Sequence, residues 1–93
     1  MIAGIDPGRW KIGVAFADGD ALLFSAIIPA EKRTVLIKSF ERGDWSLLEE
    51  WRQEGSIKNI EGRRAEKIYI GNGTSSREFA REFPFEYSKT DEY

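Results

Sequence analysis

Apolar and polar positions alternate most cleanly between Trp10 and Ala17. Side chains of an extended chain alternate with a period of two, so Ile12, Val14 and Phe16 fall on one face of a strand. Lys11, Gly13, Ala15 and Ala17 fall on the other, a small face that predicts close packing by a helix. Ile2–Asp6 is a short apolar run and predicts a buried strand, with Pro7-Gly8-Arg9 as the turn that follows. Asp18-Gly19-Asp20 predicts a hairpin turn, since Asp-Gly suits positive φ. Ala21–Ile28 predicts a third strand, stopped by Pro29.

Beyond Pro29 the period lengthens. Residues 31–42 fit a short helix through Val35, Leu36, Ile37 and Phe40, although 34–37 also suit a strand. Asp44–Glu54 reads as the clearest helix, with Asp44 as N-cap, Trp45, Leu48 and Trp51 on one stripe, and Gly55 as the stop. Ser56–Glu66 is polar, with Ile57 and Ile60 turned inward. Lys67–Ile70 predicts a fourth strand and Gly71-Asn72-Gly73-Thr74 a loop. Ser75-Ser76-Arg77-Glu78 has the form of a capping box opening a second helix to about Glu82. Pro84 ends that helix, and Phe85–Ser88 predicts a fifth strand. A three-strand meander followed by helix, strand, helix and strand predicts one α/β domain over residues 1–93, built on a five-stranded mixed sheet flanked by helices.

Composition narrows the chemistry. At 93 residues the chain is sized for one domain, and its 41% hydrophobic content is enough to build a core. It contains no cysteine and no histidine. That excludes disulfide frameworks, thiolate metal sites, Ser-His triads and the commonest zinc ligand. A metal here is a hard, oxygen-bound cation such as magnesium or manganese. No apolar run approaches the roughly 20 residues that span a bilayer. The start lacks a basic region and a cleavage site, so a cytoplasmic protein with no membrane partner is expected. The net charge of −2 weighs against an unaided grip on duplex DNA, but a local basic patch matters more than the sum.

The stretch Gly4-Ile5-Asp6-Pro7-Gly8-Arg9-Trp10-Lys11-Ile12-Gly13-Val14-Ala15-Phe16-Ala17-Asp18 resembles the opening of the YqgF-type domain: an Asp-x-Gly turn, a basic residue, Ile-Gly-Val-Ala, then Asp. Its start is also similar to the first strand of RuvC-type Holliday-junction resolvases. Ile68–Gly71 resembles the family's fourth strand, and Asp91-Glu92 the Asp-Glu-Arg that closes its fifth. The resemblance touches the whole chain, but its specific part is the first eighteen residues. It implies a ribonuclease-H-like fold, in which the second strand runs antiparallel to the others and helices cover both sheet faces. It implies two-metal hydrolysis of a phosphodiester in structured DNA or RNA, in which carboxylates hold magnesium or manganese.

On that resemblance Asp6 is the first metal ligand and catalytic residue, at the end of a buried strand where α/β sites collect. The bland alternative is an Asp opening an ordinary turn. Glu92 maps onto the family's glutamate as a second catalytic ligand, with Asp91 a weaker metal ligand beside it; otherwise both belong to a charged tail. Tyr93 stands where the family has arginine. Asp18 lies at the far end of its strand and reads as a turn residue. Gly8, Arg9, Trp10, Lys11, Asn72 and Thr74 are the candidate nucleic-acid contacts. Gly8 permits close backbone approach, Trp10 can stack on a base, and Asn72 and Thr74 lie between a strand end and a helix start. Arg63, Arg64 and Lys67 extend the candidate basic patch, against the plainer reading of a solvated loop of mixed charge. Trp45 and Trp51 read as core.

The family draws a further carboxylate from a helix after its fifth strand, whereas this sequence ends at Tyr93. A sheet face without that helix predicts a homodimer or a shortened piece of a longer protein. A catalytically degenerate module of the same fold, binding nucleic acid or dimerising, is the alternative function. A fragment of the sugar-kinase, actin and heat-shock ATPase fold is a third, disfavoured by length.

Overall fold

The computed structural model describes residues 1–73 and 75–90. Among the described residues six strands form one mixed sheet: β1 (Ile2–Pro7), β2 (Lys11–Asp18), β3 (Ala21–Pro29), β4 (Arg52–Gly55), β5 (Lys67–Gly71) and β6 (Ser88–Thr90). Their order across the sheet is β4-β3-β2-β1-β5-β6. The first three strands are the expected meander, in antiparallel register with Ile5 opposite Val14 and Gly13 opposite Ile27. β5 then pairs parallel with β1, and β6 parallel with β5. The architecture is α/β with a mixed sheet, as the order of elements predicts, but the sheet has six strands rather than five.

The additional strand replaces part of the expected Asp44–Glu54 helix. Asp44 caps as anticipated, its carboxylate accepting from the Ser46 N–H at 3.2 Å. The helix it opens is a 3₁₀ helix over Trp45–Trp51, and the chain then extends as β4 along the edge of β3. The reason is visible in the spacing. Trp45, Leu48 and Trp51 recur every three residues, and a 3₁₀ helix stacks positions i and i+3 directly over one another. Trp45 and Leu48 are thereby both buried, and the Trp45 indole N–H donates to the Arg63 carbonyl at 2.8 Å. Gly55 does not stop a helix. It ends β4 at φ +79°, so close to the Leu23 carbonyl that a Cβ would collide with it.

The ambiguous segment 31–42 resolves into a short 3₁₀ turn and helix α1 (Arg33–Arg42), closed by Gly43 in the left-handed conformation. Leu36, Ile37 and Phe40 form its buried stripe. Helix α2 spans Ser76–Glu82. Its expected capping box does not form: Ser75 is not in the extended conformation that an N-cap needs, and its side chain makes no cap bond. The Ser76 hydroxyl instead donates to the Gly73 carbonyl at 2.7 Å. Phe85 and Tyr87, expected within the fifth strand, pack as rings against Phe83, and strand pairing begins only at Ser88.

Both helices lie on one side of the sheet, over Ala3, Ile5, Ile12, Val14, Phe16, Phe24, Ala26, Ile28, Ile68 and Ile70. Phe16 is fully buried at the centre of an aromatic cluster, 4.8 Å from Trp45 and 5.9 Å from Phe40 between ring centroids. The opposite side presents Ile2, Gly4, Asp6, Lys11, Gly13, Ala15, Ala17, Ser25, Ile27, Tyr69 and Gly71, none of them buried. Neither the helix expected against the small face of β2 nor cover on both sheet faces is found among the described residues. The face carries exposed Ile2 and Ile27. Among the described residues no helix is long and apolar enough to cross a membrane.

Candidate functional site

Asp6 occupies the penultimate position of β1, with strands on either side. The core claims Ala3, Ile5 and Pro7, so the alternation of the strand turns Asp6 to the open face. There it is exposed, opposite Gly13 on β2 and beside the carboxyl end of β5. Two glycines leave room around it. A Cβ on Gly71 would stand 3.4 Å from the Asp6 Oδ1, and one on Gly73 would stand 3.2 Å from the Pro7 carbonyl and 3.7 Å from the same Oδ1. The carboxylate borders a shallow trough of about 730 Å³ that runs across Gly13, Ala15 and Ser25 to Gln53 and Glu54 on β4.

The turn after Asp6 is tight. The Gly8 N–H donates to the Lys11 carbonyl at 2.9 Å, and a Cβ at Gly8 would lie 2.6 Å from that oxygen. The turn projects Arg9 and Trp10 into solvent, with the Arg9 guanidinium 5.8 Å from the Trp10 ring centroid. Lys11, the first residue of β2, shares the open face with Asp6 as a diagonal neighbour, about 7–8 Å away across the strand pair. Asn72 is exposed just past β5. The structure thus gathers Asp6, Gly8, Arg9, Trp10, Lys11 and Asn72 at one end of the sheet.

The remaining candidates separate. Asp91, Glu92 and Thr74 lie outside the described residues. The strand preceding Asp91 ends at Thr90, opposite Gly71 and so level with Asp6. Asp18 stands at the opposite end of the sheet, where Arg63 holds it at 2.7 Å and the Met1 amine lies at 3.5 Å. The hydrogen bond from Arg63, aided by both positive charges, keeps the Asp18 carboxyl below its ordinary value. The extended basic patch is not formed. Arg63 is committed to Asp18, and Lys67 opens β5 at that same far end, opposite Ile2 and 5.5 Å from the Tyr69 ring. Arg64 lies beside Gly43.

On the helix side of the same sheet end is a second depression, of about 470 Å³. Pro7, Ile12 and Phe79 line its base, and Arg9, Arg33, Ser75 and Glu78 its walls. Arg33 and Glu78 were not evident as site residues in the sequence. Arg33 belongs to a stretch whose secondary structure is undecided by periodicity, and Glu78 reads as half of a capping box. Gly73 carried a signal, a Gly-x-Gly directly after a strand, but the sequence does not say which side chain it makes room for.

Among the described residues no three of His, Cys, Asp and Glu come together as a metal cage. Asp6 is a single exposed carboxylate, whereas magnesium binds through one or two carboxylates and completes its shell with water and substrate oxygens. No family model, no curated protein and no solved structure matches the chain.

Proposed function

We propose that the chain is a ribonuclease-H-like nuclease domain of the resolvase-like class, which hydrolyses phosphodiester bonds in structured DNA or RNA with magnesium or manganese. The observation that carries this reading is the position of Asp6. It lies next to last in β1, a central strand whose neighbour β2 is antiparallel and whose neighbour β5 is parallel; β3 and β6 also run with β1, so four strands present their carboxyl ends on one side. Sites in open α/β sheets form at such ends. Counted without the edge strand β4, β2 alone runs antiparallel to the others, which agrees with the strand directions that the resemblance of residues 4–18 implies.

Asp6 would hold the metal, with Asp91 and Glu92 as the further candidates. When bound, the metal would supply an activated water and stabilise the leaving oxygen. The chain's own groups have separate tasks. Gly71 and Gly73 keep the space beside the carboxylate clear for a phosphate. Lys11 and Arg9 offset phosphate charge from the adjacent strand and turn. Trp10 offers a face on which a base can stack. The homodimer expected from the sequence is part of the same proposal, with exposed Ile2 and Ile27, away from Asp6, as the apolar side chains available to it. A strictly monomeric species by light scattering at micromolar concentration would remove it.

The nuclease reading is tested with labelled four-way-junction DNA and single-stranded RNA in manganese, beside Asp6→Asn. Cleavage by the parent that the variant loses supports it, and equal cleavage by both refutes it. A second reading is a catalytically degenerate module of the same fold that binds nucleic acid or dimerises. Binding of the junction without cleavage by either protein would establish that reading instead.

A further inference from the structure

The cleft on the helix side is not used by the chemistry assigned to Asp6. Its base is apolar, with Pro7, Ile12 and Phe79 all buried. Two arginines line it from separate segments, Arg9 from the hairpin turn and Arg33 from the start of α1. One Arg33 nitrogen lies 2.8 Å from a Glu82 carboxylate oxygen, and its other donors make no bond among the described residues. Ser75 and Glu78 complete the walls. Trp10 stands next to Arg9 at the rim and is 80% exposed.

The cleft is preformed. The Ala30 N–H donates to the Trp10 carbonyl at 2.9 Å, tying the hairpin tip to the chain that leads into α1. Its volume of about 470 Å³ lies within the range of small-ligand sites, roughly 300–1,000 Å³. An apolar base, two cations, one hydroxyl and an exposed indole match one chemical unit, a planar ring joined to a phosphate. Glu78 suits the N–H donors of a base edge rather than the phosphate. Duplex DNA keeps its bases stacked and offers none to Trp10, whereas a single strand does. Asp6 and Pro7 are consecutive, one on the open face and the other in the cleft, so a strand passing over the end of β1 meets both.

We infer that this cleft is a subsite for one nucleotide of single-stranded nucleic acid, with the phosphate on Arg9 and Arg33 and the base on Trp10. The inference takes its ligand class from the proposed function, but its test does not depend on cleavage. Binding of a fluorescein-labelled single-stranded DNA octamer of mixed sequence is measured by anisotropy, in EDTA and with Asp6→Asn. Trp10 fluorescence is followed alongside; of the three tryptophans, Trp45 is buried and Trp51 is half-buried. The octamer binds and quenches. Trp10→Ala weakens binding about 5- to 100-fold, the range for loss of one stacked base. Arg33→Ala weakens it about tenfold or more. Lys38→Ala, the same charge change on an exposed position of α1, leaves it unchanged. Absence of binding, or binding indifferent to both Trp10→Ala and Arg33→Ala, overturns the inference. So does a nucleoside monophosphate that binds as tightly as the octamer, since the site would then take free nucleotides. Loss of the nuclease reading would appear only in the manganese assay and would leave these affinities intact.

Discussion

Gly8 and Gly4 offer a controlled test of the turn that positions Asp6, because the same substitution is made in opposite surroundings. A Cβ on Gly8 would sit 2.6 Å from the Lys11 carbonyl oxygen, whereas close C–H···O contacts run at about 3.3–3.6 Å. The turn must therefore open by about 0.7 Å or more, and the 2.9 Å bond from the Gly8 N–H to that carbonyl is stretched beyond useful length. Loss of the bond costs about 0.5–1.5 kcal/mol, and the displaced backbone adds a comparable amount. Gly4 lies within β1 on the open face, and a Cβ there meets nothing within 4 Å. Gly4→Ala should be neutral or stabilising by up to about 1 kcal/mol, since glycine in a strand carries an entropic cost. Both variants remove the same freedom from the unfolded chain, so the difference between them isolates the turn. Gly8→Ala is expected to be less stable than Gly4→Ala by about 1–3 kcal/mol. For a domain of this size that is a gap in Tm of roughly 4–24 °C. Urea titration and thermal melts, both followed by circular dichroism, measure it. Melting points within 3 °C of each other would refute the geometry of the turn.

Three further outcomes follow from the core and the far end of the sheet. Phe16→Ala removes the ring at the centre of the aromatic cluster and should cost about 3–5 kcal/mol in urea unfolding, a large share of the roughly 5–15 kcal/mol available to such a domain; a loss below 1 kcal/mol would place the core elsewhere. The Asp18 carboxyl is held below its ordinary 3.8 by Arg63, so its contribution is present above that value and is lost as the pH falls through its lower folded value. Asp18→Asn should accordingly flatten the acid limb of stability below about pH 4, and an unchanged limb would show that the Arg63 contact contributes nothing. Ser39→Ala deletes a buried hydroxyl bonded to the Leu36 carbonyl at 2.7 Å and should cost about 1 kcal/mol by the same titration.

The parts of this fold that were legible in the sequence are those written in a period of two. Ile12, Val14 and Phe16 mark the core face of β2, and the two short turns that bracket it force a meander. Asp6 was legible as a site candidate because a carboxylate ends an apolar strand. The Trp45–Leu48–Trp51 stripe was legible as turned inward, with Trp51 only half-buried, but not as 3₁₀, because a spacing of three fits either helix over two turns. β4 was hidden because Arg52, Gln53, Glu54 and Gly55 are all exposed on an edge, where pairing leaves no hydrophobic imprint. Arg33 and Glu78 were hidden for a different reason. Their joining at one cleft depends on how α1 and α2 seat on the sheet, and nothing local to either helix encodes that. The open face ran against the expectation of helical cover, since a face of Gly4, Gly13, Ala15 and Ala17 reads the same whether or not something is packed on it.

The parallel pairing of β1 with β5 governs when this site comes into being. β1, β2 and β3 are contiguous in sequence and can form by local hairpin closure, placing Asp6, Arg9, Trp10 and Lys11 early. Gly71 and Gly73, and the helix that carries Glu78, arrive only when Ile70 docks beside Ile5, a closure that spans most of the chain. Non-local closure of this kind is the slow part of folding, because chain entropy is lost before the contacts that reward it are made. On that folding order a polypeptide halted between the two events would hold the carboxylate with its β5 side exposed, and would gain the glycine clearance and the second cleft wall together.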